Sequence, residues 1–244
     1  MGPLATSTDF RQAPALDLSK RPISSIDPTL FLPMHYESGY SYPLIVWLHS
    51  DGDDGRQLNR ILPEISMRNY VGVGPEAVVG SEHTGYFWKQ SGQSIDHAVQ
   101  SVCDAIDYAQ MNLNINTDRI LLAGYGAGGT MAYRVGLEIP QVVSGIVSLN
   151  GALPEQATPL RDWMNCRELP VFWGHCRKSL EFSEERLCDQ LKLLHVAGFS
   201  VTLRQYPHGD ELPTQMLNDL DKCCLLYTSP SPRDRTRSRM PSSA

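Results

Sequence analysis

The chain has 244 residues, 41% of them hydrophobic, and a formal net charge of -6 at pH 7. That length suits one α/β domain with a sealed core, and a mildly acidic chain without like-charge runs before its C-terminal tail is no nucleic-acid binder. No stretch approaches the ~20 apolar residues of a membrane-spanning helix, and the first residues lack the basic and apolar blocks of a secretory signal, so a cytoplasmic protein is expected. The cysteines show no metal-ligand spacing, so neither a metal nor a cofactor is expected, and Cys103 and Cys188 read as buried free thiols on amphipathic helices.

Residues 1–28 are rich in Pro, Ser and Asp and read as a loose N-terminal arm. A peripheral strand follows from Leu30. Residues 42–48 (YPLIVWL) form a continuous apolar run, as expected of a strand covered on both faces. Leu58, Ile61, Leu62 and Ile65 recur at helical spacing before a short strand over residues 70–73. Residues 94–113 are the clearest helix, with Ser94 as N-cap and Ile95, Val99, Val102, Ile106 and Ala109 along one face. Strands are expected over residues 119–123, 142–149, 170–173 and 200–206, alternating with helices through Met131 and Val135, over 182–196 and over 212–222. Such alternation predicts a three-layer α/β/α sandwich around a mostly parallel sheet, as one domain over residues 29–222.

The tail is expected to be foreign. Reverse-translated, residues 224–234 and 238–244 read as a transposase-type sequencing-library adapter, with residues 235–237 as its barcode. Residues 224–244 are therefore excluded from fold reasoning, and the last helix is expected to be cut short near Lys222.

The most informative segment runs from Arg119 to Thr130 (RILLAGYGAGGT), a strand passing through a glycine turn straight into a helix. Gly124, Gly126 and Gly129 match the G-x-G-x-x-G of dinucleotide-binding proteins. That fingerprint calls for an acid at the end of the next strand, about 20 residues on, and here that strand ends Ser148-Leu149-Asn150. The other reading is a nucleophile elbow, G-x-S-x-G, with Gly124 and Gly128 as the flanking glycines and Gly126 in place of the serine.

The surroundings favour the elbow. Pro43 to Gly52 (PLIVWLHSDG) resembles the strand and His-Gly oxyanion loop of the carboxylesterase/phospholipase branch of α/β-hydrolases. Gly124 to Arg134 resembles its elbow helix, and residues 149–154 (LNGALP) its next strand end. Residues 170–175 (PVFWGH) resemble the strand before its acid, and residues 197–206 the strand before its histidine. The resemblance runs in order from about residue 30 to 222 and implies the α/β-hydrolase fold and an ester-hydrolase ancestry.

In that family serine attacks the acyl carbon, histidine takes its proton and a carboxylate orients the histidine. Carried over by position, the serine falls on Gly126, the acid on Ser179 and the histidine on Asp210. A slip of a residue or two would make Glu181 the acid, or bring His208 inward. Glycine cannot attack, and loss of the nucleophile alone costs ~10⁶ in kcat. Two outcomes are therefore weighed: a pseudoenzyme, or an ester hydrolase with a relocated serine, for which Ser50 and then Ser179 are the candidates. Against Ser50 stands the simpler role of bonding its own loop, and Cys176 reads as a buried thiol.

The resemblance also implies that the backbone N–H groups of Asp51 and Ala127 are the oxyanion donors, next to a helix N-terminus. Backbone donors survive a change of side chain and suit a carboxylate, phosphate or acyl group. The expected partner is thus a small acyl- or carboxylate-bearing ligand. His49 is expected to anchor the oxyanion loop, and Trp88 to wall a pocket or pack in the core.

Overall fold

The computed structural model describes residues 27–81, 83–154, 166 and 169–227. Nine strands and five α-helices are formed among them: β1 (Thr29–Phe31), β2 (Tyr42–Leu48), α1 (Leu58–Ile65), β3 (Val71–Gly74), β4 (Val79–Ser81), β5 (Gly85–Phe87), α2 (Gly92–Asn112), β6 (Ile115–Tyr125), α3 (Ala127–Glu138), β7 (Gly145–Leu149), β8 (Val171–Cys176), α4 (Glu184–Val196), β9 (Val201–Tyr206) and α5 (Thr214–Tyr227). Seven strands make one sheet in the order β1-β3-β2-β6-β7-β8-β9. Only β1 pairs antiparallel within it. β4 and β5 form a separate two-stranded ribbon that the sequence reading did not anticipate.

The two-residue period of a strand explains the layering. Along β2, Leu44, Val46 and Leu48 join the core beneath α2, α3 and α4, which includes Val102, Met131 and Leu187. Ile45 and Trp47 join the opposite core, with Leu58 and Leu62 of α1 and Leu217 and Leu220 of α5. All seven residues of β2 are buried, as a strand covered on both faces requires. The sandwich is the expected one.

Three local expectations are corrected. α2 starts earlier than expected: Ser91, not Ser94, is its N-cap, and the Ser91 hydroxyl accepts from the Ser94 N–H. Cys103 is buried but Cys188 is exposed, because the apolar side of α4 carries Leu187, Leu191 and Leu194 instead. α5 runs on to Tyr227, past Lys222. Residues 1–26 of the expected arm and 228–244 of the expected adapter tail lie outside the described residues. None of the helices described is long and apolar enough to cross a membrane.

Candidate active site

β6 delivers Gly124 and Tyr125 to a sharp turn, and α3 departs from it at once. Gly126 sits at the apex with φ 56° and ψ -121°, backbone that an L side chain adopts only under strain. Its N–H donates to the Leu149 carbonyl (2.8 Å) and its own carbonyl accepts from the Thr130 N–H (3.0 Å). The neighbouring glycines are there for a different reason. A Cβ on Gly124 would lie 2.5 Å from the Gly128 carbonyl, and one on Gly128 only 2.2 Å from the Leu48 carbonyl oxygen. A Cβ on Gly129 would come within 2.8 Å of the Ser148 hydroxyl. Gly124 and Gly129 of the G-x-G-x-x-G pattern, together with Gly128, therefore serve the close approach of α3 to β2, β6 and β7. A Cβ on Gly126 meets nothing within 4 Å, so the apex faces open space.

The loop after β2 reaches this turn, since the Leu48 and His49 carbonyl oxygens both lie against Gly128. His49 is fully buried. Its Nδ1 bonds the Ser50 carbonyl (2.8 Å) and its Nε2 accepts from the Ala77 N–H (3.2 Å). Those partners select the neutral Nδ1–H tautomer, and burial holds its pKa below the ordinary histidine value. The ring therefore ties the loop to the segment after β3. Trp88, only 4% exposed, donates from Nε1 to the His49 carbonyl (2.8 Å) and lies on the His49 ring, with centroids 4.9 Å apart. It packs beneath the loop. The Trp88 N–H binds the Asp51 carboxylate (3.0 Å), which gives that charge a fixed partner.

Ser50 is held by Gln57. Its N–H donates to Gln57 Oε1 (3.1 Å), and its hydroxyl accepts from Gln57 Nε2 (3.1 Å). Gln57 in turn accepts from Trp47 Nε1 (2.7 Å) and donates to the Asp53 carboxylate (2.9 Å). The Ser50 hydroxyl thus faces an amide donor rather than a base. Gln57 escaped the sequence reading, because its role depends on a short 3₁₀ turn (Gly55–Gln57) that folds it back under the loop.

The two remaining positions meet each other. Ser179 follows β8, Asp210 follows β9, and the Ser179 hydroxyl donates a short hydrogen bond to the Asp210 carboxylate. The same hydroxyl accepts from Asn150 Nδ2 (3.2 Å) and from the Phe182 N–H (3.0 Å). Its proton and both its lone pairs are engaged, which leaves a poor nucleophile. Asp210 also accepts from the Leu180 N–H (2.9 Å) and from Asn150 Nδ2 (3.3 Å). These donors, Ser179 first, hold its carboxyl below the usual carboxylate range.

Asn150 is the hub that the sequence reading missed. It occupies the left-handed region at φ 51°, which asparagine tolerates better than most residues. Besides binding Ser179 and Asp210, it accepts from the Cys176 N–H through Oδ1 (3.2 Å). The one available signal was an Asn-Gly pair closing an apolar strand. His208 joins the cluster by its backbone, its carbonyl accepting from the Lys178 N–H (2.9 Å). Glu181 is exposed. Cys176 is buried, and burial pushes its thiol up to about 11, so it is an unreactive thiol at neutral pH. Among the described residues, no group of three or more His, Cys, Asp or Glu side chains is placed to hold a metal ion.

His175, at the end of β8, is fully buried edge-on to Phe182 (5.0 Å between centroids), and neither ring nitrogen has a hydrogen-bond partner among the described residues. Burial lowers its pKa, as it does for His49. A depressed folded pKa means that the unfolded chain takes up the proton first as pH falls. Stability is then full above the unfolded value of about 6.5 and declines as pH drops toward the folded pKa. His175→Phe is expected to stabilise the protein by about 1 kcal/mol, since it removes two buried unsatisfied nitrogens, and to flatten this acid slope. Urea melts across the acid range check both effects, and an unchanged slope would remove His175 from the account.

The chain matches the model of the phospholipase/carboxylesterase family over residues 41–223. None of the curated proteins is significantly similar in sequence. Among solved structures it resembles SOBER1 of Arabidopsis thaliana, with a TM-score of 0.66 at 18% identity over 78% of this chain and 100% of that one. It also resembles the Bacillus cereus carboxylesterase, with a TM-score of 0.67 at 15% identity over 84% and 96% of the two chains. A carboxylesterase from Mesorhizobium loti gives 0.65 at 17% identity over 75% and 88%. Such distant likenesses speak for the fold, and the family match spans most of the chain: this protein belongs to the phospholipase/carboxylesterase family of α/β-hydrolases.

Proposed function

We propose that this protein is a non-hydrolytic member of its family, which keeps the backbone anion frame at the elbow as a binding site for a small carboxylate- or acyl-bearing molecule. The observation that carries the reading is Gly126 at the apex of the strand–turn–helix elbow, facing open space with no side chain to attack an ester. Two further observations support it. The Ser50 hydroxyl is met by an amide donor, and the Ser179 hydroxyl is spent on three hydrogen bonds, its proton held by a weakly basic carboxylate rather than by an imidazole. The N–H groups at the start of α3 and in the loop after β2 do not depend on those side chains, and a helix N-terminus favours an anion by a few tenths to 1 kcal/mol.

The test is a fluorophosphonate probe followed by peptide mass spectrometry, with octanoate binding measured on the same preparation. The chain is expected to remain unlabelled and octanoate to raise its Tm. A stoichiometric adduct on Ser50 or Ser179 would replace this reading with a relocated nucleophile. An unlabelled chain indifferent to octanoate would remove the binding half.

A further inference from the structure

A second candidate site lies at the other end of the sheet. The elbow follows the C-terminal end of β6, whereas a notch of about 340 Å³ opens where β2 begins, beside Pro43 and Arg119. From Arg119 to Gly124 is roughly 17 Å along the strand, at ~3.3 Å per residue. The polar part of the notch is built by Arg68 and Asn69, from the turn between α1 and β3, with Arg119 from β6 and Glu37. Tyr40 and Tyr42 supply its aromatic wall.

Among the described residues, neither guanidinium group in the notch is neutralised by an ion pair; Arg134, which also lacks one, is instead buried and donates to Gln90. Arg56, Arg60, Arg177 and Arg204 each sit on a carboxylate. Arg68 and Arg119 form no ion pair among the described residues. The Asp221 carboxylate behind the notch is already taken, accepting from the Tyr70 hydroxyl (3.0 Å) and from Asn69 Nδ2 (3.4 Å). Among the described residues Glu37 is the one carboxylate in the lining, so there the cationic groups outnumber the anionic ones in a chain of net charge -6.

The aromatic wall is ordered in advance. Tyr42 is buried, stacks on Tyr36 with centroids 5.1 Å apart, and binds the Glu37 N–H through its hydroxyl (3.1 Å). Tyr40 stands edge-on to Tyr42 at 4.6 Å and is 51% exposed. An exposed ring held in place beside two guanidinium groups without an ion pair among the described residues matches a planar anion. The ring would gain contact area on Tyr40, and guanidinium groups bind a carboxylate or phosphate through two parallel hydrogen bonds.

We propose that this notch binds a small aromatic carboxylate or phosphate, its ring on Tyr40 and its anion between Arg68 and Arg119. The site is independent of the elbow. Benzoate and phenyl phosphate would be titrated into the full chain by calorimetry, with phenol and inorganic phosphate alongside. At least one of the two aromatic anions is expected to bind saturably, at least about tenfold tighter than phenol or inorganic phosphate. Arg68→Gln and Arg119→Gln are each expected to weaken that binding by about tenfold or more with unchanged circular dichroism, and Tyr40→Ala to erase the advantage over inorganic phosphate. The proposal is overturned if neither aromatic anion binds saturably, if both arginine variants bind as the parent does, or if inorganic phosphate binds as tightly as phenyl phosphate. Because the variants lie far from Gly126, binding at the elbow would persist in them and count against the notch alone.

Discussion

The triple variant Gly126→Ser/Ser179→Asp/Asp210→His is expected to hydrolyse p-nitrophenyl acetate on the order of 10³-fold faster than the natural chain, while Gly126→Ser alone stays within about tenfold of it. A serine without its base is worth little, because losing the nucleophile or the base alone costs about as much as losing the whole triad. The geometry favours restoration. A side chain at 126 enters open space, and positions 179 and 210 already touch through their side chains. An aspartate and a histidine placed there have the proximity that the acid–base bond requires. The backbone N–H groups proposed to hold an oxyanion are independent of all three substitutions. Burst and steady-state kinetics on the three proteins decide the matter. A natural chain as fast as the triple variant would end the non-hydrolytic reading, and a fast Gly126→Ser variant would mean that another base serves the elbow.

Gly128→Ala is expected to cost about 3 kcal/mol of stability or more, against about 1 kcal/mol for Gly126→Ala. Both glycines belong to the same turn, but for different physical reasons. The Cβ at 128 would lie 2.2 Å from one backbone oxygen and 2.5 Å from another, at the ends of β2. Backbone in the middle of a sheet cannot yield without disturbing the Leu48↔Gly124 register. At 126 the added methyl touches nothing and suffers only the strained φ. The serine that esterases of this family carry at the elbow must bear that strain, and glycine here relieves it, in keeping with the trade of stability against activity at active sites. Urea denaturation midpoints, with the m-value held as a control on the denatured state, give the comparison directly. If Gly126→Ala proved the costlier of the two, close packing would not be what demands the flanking glycines.

Much of the fold was legible because its signals are local. The run YPLIVWL announced a strand covered on both faces, and all seven of its residues are buried. Strands alternating with helical patterns pointed to the parallel sheet that β2, β3, β6, β7, β8 and β9 form. The strand–turn–helix at Gly126 was legible too, as a strand ending in glycines that open a helix. Where expectation missed, either the local signal was too weak to read or the deciding contact came from elsewhere in the fold. Ser91 displaced Ser94 as the cap of α2 by a shift of one helical turn, which periodicity does not resolve. The β4–β5 ribbon is built of two three-residue strands, too short for an alternation signal, and is tied to the loop after β2 by the Asp53↔Tyr86 bridge. Cys188 faces solvent because three leucines claim the other side of α4.

The sequence by itself determined the family architecture and that a glycine stands at the turn between β6 and α3, since both rest on order and spacing along one chain. Only the tertiary structure decided what the other residues do. It brought Ser179 and Asp210, which lie on loops after different strands, into direct hydrogen bonding, and put Asn150 between them as the donor to both. It gave Ser50 an amide partner from a turn seven residues away, and closed His49 against Ala77 and Trp88. It also set Arg68 and Arg119 beside one aromatic wall at the far end of the sheet. The reason is the same in each case: a hydrogen bond or an ion pair requires a few ångströms in space, and separation along the chain does not report that distance once strands have crossed over into a sheet.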